Sequence, residues 1–200
     1  MTGTTLPRFY MIRHGETEWN RERRYQGKAD IPLNDTGRAQ AAGNGRYLAS
    51  LPIDWKDWSF VASPLSRAVE TTRIIRTELG LDPDEFRTDE RLMEVSFGEW
   101  ERKLHSELLQ EYPEAMAARD RSKWDHVPPG GESYAQAVNR VRDFFDGLDT
   151  QTVIVCHGGI IRATRYLVEG PGDGTLADGH VPQDRVYRYD GQDGVWVGLD

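Results

Sequence analysis

The sequence predicts an α/β fold, a three-layer α/β/α sandwich around a mostly parallel central sheet. Apolar runs of strand length alternate with longer segments of helical period, the pattern of a sheet covered by helices. Two of the strand-like runs end at a histidine beside glycine. Arg8-Phe9-Tyr10-Met11-Ile12 leads into Arg13-His14-Gly15-Glu16-Thr17, and Thr152-Val153-Ile154-Val155-Cys156 leads into His157-Gly158-Gly159. Carboxyl ends of parallel strands edge the ligand crevice of such folds, so both histidines are expected over one ligand. With 200 residues, 38% of them hydrophobic, the chain can bury one substantial core, and a single domain over 1–200 is expected.

The first strand is expected over 8–14. Thr36-Gly37 opens a helical run to about Ser50, with Ala39, Ala42, Arg46 and Ala49 at turn spacing and Leu51-Pro52 ending it. Trp58-Ser59-Phe60-Val61-Ala62 reads as the second strand. Ser63-Pro64 then offers a cap and a first-position proline to a helix over 65–79, closed by Gly80. A third strand is expected within 87–92, and 102–126 is polar, helical and rich in both charge signs. Pro128-Pro129-Gly130-Gly131 breaks the chain before Glu132-Ser133 caps a helix carrying Ala137, Val141, Phe144 and Phe145. A strand over 152–156 and a helix over 158–168 follow. Residues 170–180 read as a loop, and Val186-Tyr187-Arg188-Tyr189 and Val195-Trp196-Val197 flank an Asp190-Gly191 turn as a closing hairpin.

A formal net charge of −8 argues against a nucleic-acid partner, whose usual footprint is a broad basic face. Any bound anion must be held by a local basic cluster within a field that is negative overall. A single cysteine, Cys156, excludes an internal disulfide and a multi-cysteine metal site. The first residues carry no basic region followed by an apolar run, and no stretch approaches the length that spans a bilayer, so a cytoplasmic address without a membrane partner is expected. Trp55, Trp58 or Trp124, if exposed, would mark the contact of a homodimer.

The residue types fit phosphoryl chemistry. Cleaving a phosphate monoester requires neutralising its oxygens, supplying a nucleophile better than water and protonating the departing alcohol. A neutral imidazole such as that of His14 is a nitrogen nucleophile near pH 7. Arg13 can give forked hydrogen bonds to two phosphoryl oxygens, and Arg67, in the first turn of the helix after Ser63-Pro64, offers a second guanidinium. His157 would complete the cage, which needs no metal and no cofactor. Taken alone, each residue has a plainer reading. Arg67 would be a surface residue paired with Glu70, Glu94 an exposed strand-end acid, and Cys156 a buried core thiol rather than a nucleophile. Arg21, Arg23, Arg24 and Lys28 are either a solvated charge run or an electrostatic lip for anionic substrates. A zinc site from His14, His157 and Glu16 matches no metal-ligand spacing, and the arginines would repel the cation.

Together these residues resemble the histidine phosphatase superfamily, the phosphoglycerate-mutase-like group. Arg13-His14-Gly15-Glu16-Thr17, continued by Trp19-Asn20 and Gln26-Gly27, is similar to the family's opening motif. Ser63-Pro64-Leu65-Ser66-Arg67-Ala68 resembles the segment of its second phosphate-binding arginine. Leu92-Met93-Glu94 with Phe97-Gly98-Glu99-Trp100-Glu101 resembles the segment of its proton donor, and His157-Gly158-Gly159 its second histidine motif. The resemblance implies a phosphoglycerate-mutase-like fold. It also implies transient phosphorylation of His14, with Arg13, Arg67, His157, Asn20 and the adjoining Gly158 binding the phosphoryl group. Glu94, rather than Glu99 or Glu101, would be the acid and then the base, and Gln26 and Gly27 would touch the phosphate or the alcohol side. The family often has glycine after the Trp-Glu pair, where this chain has Arg102.

The expected activity is hydrolysis of a small phosphorylated metabolite. Phosphoglycerate-mutase-type transfer to a second hydroxyl shares the first step, and a non-enzymatic phosphate-binding or scaffolding module would keep the fold. The segment 102–132, expected as a helical insertion over the site, is shorter than in the classical mutases. Its end, Pro129-Gly130-Gly131-Glu132-Ser133, resembles the phosphatase branch that includes the alpha-ribazole phosphatases, which favours hydrolysis.

Overall fold

The computed structural model describes residues 6–171 and 175–199. At the centre of the sheet β1 (Phe9–Arg13) and β4 (Thr152–Cys156) run parallel, with Arg13 level with Cys156. β2 (Ser59–Ala62) pairs with β4, and the two-residue β3 (Arg87–Thr88) with β2, both parallel. The hairpin of β5 (Val186–Tyr189) and β6 (Gly194–Val197) closes the other edge antiparallel, giving the order β3-β2-β4-β1-β5-β6. The sheet is therefore mostly parallel, as the alternation of elements predicts. Among the described residues no helix is long and apolar enough to cross a membrane.

Strand alternation divides the core cleanly, because successive side chains point to opposite faces. Phe9, Met11, Val61, Ile154 and Cys156 face α6 (Tyr134–Asp146) and α7 (Gly158–Glu169), where they meet Val141, Phe144, Phe145 and Ile160. Tyr10, Ile12, Phe60, Ala62, Val153 and Val155 face α2 (Asp35–Ala49) and α3 (Ser66–Glu78), with Leu48 and Ile75. Each fully buried side chain of this size contributes roughly 1.5–3 kcal/mol. Cys156 is a buried core residue whose thiol burial pushes well up, so it is not a nucleophile at neutral pH.

Several expectations are corrected. On α2 the residues at turn spacing, Ala39, Ala42, Arg46 and Ala49, are not the buried ones, which are Gly37, Ala41, Asn44, Gly45 and Leu48; Gly45 lets α2 pack on α3, where a Cβ would stand 2.7 Å from Glu78 Cβ. The third strand stops after Thr88, since Asp89 accepts the Arg91 N–H at 3.0 Å and starts a 3-10 turn over Glu90–Leu92. Trp55 and Trp58 are buried against Tyr10, and the half-buried Trp124 stacks on Tyr166 at 4.8 Å, so none is the exposed tryptophan considered as a subunit contact. Residues 102–126 fold as α4 (His105–Glu111) and α5 (Pro113–Arg121), which begins at Pro113. The capped helix, here α6 with a Ser133/Gln136 capping box, and the closing hairpin form as expected. Of the expected loop 170–180, residues 172–174 lie outside the described ones.

Candidate active site

His14 and His157 stand just past the ends of the adjacent strands β1 and β4, where the sheet geometry brings their ring centroids to 5.0 Å. Both are buried. His14 Nδ1 lies 2.7 Å from the Gly15 carbonyl, which can only accept, so Nδ1 carries the proton and Nε2 keeps its lone pair. Arg67 Nε donates to that Nε2 at 3.3 Å. Burial, aided by Arg67 and Arg13, holds His14 well below the usual imidazole range, so the ring is neutral at pH 7. Burial and the same arginines, together with His14 itself, do the same to His157. Its Nε2 is 2.7 Å from Ser63 Oγ, while its buried Nδ1 has no partner among the described residues.

The glycine of the opening motif permits this approach. A Cβ at Gly15 would stand 2.1 Å from the Gly37 carbonyl oxygen, so only glycine lets the start of α2 pass so close to His14. Gly15 N–H also donates to Thr71 of α3 at 3.1 Å.

Arg67, the second residue of α3, is fully buried and not the surface partner of Glu70, which pairs with Arg38. It donates to the carbonyls of Gly27 at 2.8 Å and Ala29 at 2.7 Å, and so fixes the loop 26–30 over the histidines. The loop is held from its other side by Glu101, whose Oε1 accepts from the N–H groups of Lys28 and Phe97, each at 3.1 Å. Glu101 is thus a structural ligand and Glu99 is exposed, while Glu94 lines the cleft. Glu94 Oε1 accepts from Val95 N–H at 2.9 Å and Gly159 N–H at 3.0 Å, leaving Oε2 the less occupied oxygen.

Arg13 donates to the Val181 carbonyl at 2.8 Å, and its buried Nε has no partner among the described residues. Burial pushes its pKa down to about 10, so it remains a cation at neutral pH. Asn20 caps the start of a short helix α1 (Glu18–Arg21) through a capping box with Thr17, and its Oδ1 also accepts from Gln183 at 3.2 Å. Gln26 Oε1 is 3.0 Å from the Thr17 hydroxyl. Both amides therefore turn their acceptor inward and keep NH2 donors for the cleft that they line. Gly158 opens α7, whose amino-terminal end adds partial positive charge beside Arg13.

The structure thus brings Arg13, His14, Asn20, Gln26, Gly27, Arg67, Glu94 and Gly158 onto one cleft of about 280 Å³, with His157 against the floor. Of the basic stretch, Arg23 and Arg24 line the cleft and Arg21 and Lys28 do not. Sequence reasoning missed Ser63, expected as a cap for α3 but serving His157 instead while Leu65 takes the N-cap place. It also missed Gln183, which donates to the His14 carbonyl at 3.0 Å, and the cleft-lining Arg119, Lys123, Tyr134 and Arg162. Arg162 alone had a local signal, lying one turn beyond Gly158 on α7.

Residues 9–199 match the sequence model of the histidine phosphatase superfamily (branch 1). The chain is 37% identical over 161 residues to phosphoglycerate mutase-like protein 4 of Arabidopsis thaliana, covering 76% of this chain and 67% of that protein. It is 34% identical over 176 residues to glucosyl-3-phosphoglycerate phosphatase of Mycolicibacterium vanbaalenii, covering 82% and 74%. The crystal structure of the alpha-ribazole phosphatase from Shigella flexneri superposes with a TM-score of 0.79 at 26% identity, over 96% of this chain and 95% of that one. The chain belongs to the histidine phosphatase superfamily, branch 1, and is an enzyme of the histidine phosphatase type.

Proposed function

We propose that the protein hydrolyses a small phosphorylated metabolite through a phosphohistidine on His14. The observation that carries this reading is the Nδ1–H to Gly15 carbonyl bond, which leaves His14 Nε2 unprotonated, its lone pair facing the cleft with only a long hydrogen bond from Arg67 Nε at 3.3 Å. In the first step Nε2 attacks phosphorus, the bond to the leaving oxygen breaks, and Glu94 gives its proton to that oxygen. The ring becomes cationic, and the Gly15 carbonyl stabilises the Nδ1–H. In the second step Glu94 takes a proton from water, the water oxygen attacks phosphorus, and the P–N bond breaks to give inorganic phosphate and neutral His14. Arg13, Arg67, His157 Nδ1 and the amides of Asn20 and Gln26 are the donors for the phosphoryl oxygens.

The phosphatases among its relatives favour water as the acceptor over a second hydroxyl. His14→Ala is expected to lower kcat/KM by on the order of 10⁴-fold or more while far-UV circular dichroism stays that of the folded protein. Glu94→Gln should slow first-turnover cleavage of alkyl phosphates by about 10²–10⁴-fold and leave the burst of p-nitrophenol, which needs no proton, within about tenfold. Equal loss on both substrates would remove Glu94 from the acid role. Isomer formation without phosphate release from a phosphoglycerate would instead establish the mutase.

A further inference from the structure

We propose that Gln183 is a positioning residue for the phosphoryl site: its amide holds that of Asn20 with the NH2 group turned to the cleft. This rests on the reading of the cleft as the place where a phosphoryl group binds. Gln183 is half-buried in the segment leading into β5. Its Nε2 donates to the His14 carbonyl at 3.0 Å, and because a carbonyl only accepts, that bond fixes which way the Gln183 amide faces. The second hydrogen of the same NH2 group reaches Asn20 Oδ1 at 3.2 Å. The direction of the His14 carbonyl is thus passed through one amide to another.

The extra donor matters because of Thr17. That residue is fully buried, and its hydroxyl has one hydrogen for two acceptors, Asn20 Oδ1 at 3.2 Å and Gln26 Oε1 at 3.0 Å. Asn20 Oδ1 also accepts from Thr17 N–H at 3.2 Å, so with Gln183 it has two donors, and the hydroxyl hydrogen is left for Gln26. Both amides then keep their oxygens inward and their NH2 groups for the phosphoryl oxygens. Without the Gln183 donor the hydroxyl must serve one amide and abandon the other. An abandoned amide can turn its oxygen to the cleft, where it repels a phosphate dianion instead of donating to it. The backbone around Gln183 does not depend on this side chain. Arg13 Nη1 donates to the Val181 carbonyl at 2.8 Å, Asn44 Nδ2 of α2 to the Gln183 carbonyl at 2.9 Å, and Arg162 Nη2 of α7 to that of Gly179 at 2.9 Å. Removing the amide therefore separates positioning from folding.

A double-mutant cycle on the full chain tests this, with inorganic phosphate as the ligand and titration calorimetry as the measurement. Gln183→Met, similar in length but without a donor, should weaken phosphate binding by about fivefold to twentyfold on its own. With Asn20→Ala already in place the same change should cost less than about twofold, because the amide it orients is gone. kcat/KM for p-nitrophenyl phosphate should follow the same non-additive pattern. A merely structural residue would weaken binding by the same factor in both backgrounds. Such additivity, or less than about a twofold loss from Gln183→Met alone, would overturn the proposal. Gln183→Glu, isosteric and able only to accept, runs the same cycle if the methionine variant does not fold. Its loss should shrink by at least about threefold when Asn20 is replaced by alanine, and equal losses would again overturn the proposal. Phosphate binding without p-nitrophenyl phosphate turnover by the wild-type protein would sink the phosphohistidine chemistry separately, with the cycle still decisive for Gln183. A wild-type protein that bound no phosphate would remove the site, and the proposal with it.

Discussion

His14 keeps its reactive nitrogen unprotonated because the opposite nitrogen carries the proton and donates it in a hydrogen bond to the Gly15 carbonyl, and the ring stays neutral because it is buried, with Arg67 and Arg13 nearby. The sign of that shift gives a direct prediction. The Cε1–H resonance of His14, followed by NMR on lowering the pH, should show no protonation midpoint at or above 6.5, and kcat/KM should not fall through that range on account of this ring. A midpoint at the ordinary 6.5 would mean the ring is solvated rather than enclosed. At this scale the types and motif positions of Arg13, His14, Arg67, Glu94 and His157 are readable in the chain, since each sits in a local motif. Ser63 and Gln183 are not. Their partners, His157 and His14, lie 94 and 169 residues away, and no local pattern carries a pairing of that kind.

Elements explain the one departure from the family pattern. Arg102 stands where the family often has glycine, and its backbone is left-handed, with φ of 74°. Its N–H still donates to the Tyr25 carbonyl at 2.8 Å, so the loop keeps its shape and bears the strain. Arg102→Gly should therefore raise the stability by about 0.5–1 kcal/mol in urea unfolding, the relief of left-handed strain being partly offset by a looser unfolded chain. A loss of stability would show that the Arg102 side chain matters more than its backbone. On the other face Phe145, 1% exposed with its ring centroid 5.0 Å from that of Phe9, locks α6 to β1. Phe145→Ala should cost about 3–5 kcal/mol by the same measurement, and a cost below about 1 kcal/mol would mean that α6 is not packed as described. The helices flanking the sheet were legible from period and caps, above all α6 with its Ser133 signal. The start of α3 and the length of β3 were not, because side chains that cap locally elsewhere are here spent on tertiary partners or on a tighter turn.

At the scale of the whole molecule, the buried histidines tie stability to pH. Both have folded-state pKa values below the unfolded value near 6.5, so their contribution is complete above pH 6.5 and is lost as pH falls from there towards the folded values. Between about pH 6.5 and 5, before most carboxylates titrate, the two together allow the unfolding free energy to fall by up to about 2.7 kcal/mol per pH unit. His157→Gln should reduce that slope, and an unchanged slope would place its proton uptake outside the folding equilibrium. The charge distribution belongs to this scale too. A negative chain gathers Arg13, Arg23, Arg67, Arg119 and Arg162 on one cleft at the carboxyl ends of its parallel strands, a convergence that sequence separation conceals and sheet order creates. Everything chemical in this account depends on where the phosphoryl group goes first. The most direct measurement is an alkaline quench of the wild-type protein within the first turnover of p-nitrophenyl phosphate, followed by peptide mass spectrometry. The account predicts one phosphoryl group on His14, absent from His14→Ala. A phosphoryl group on another residue, or full turnover by His14→Ala, would contradict it.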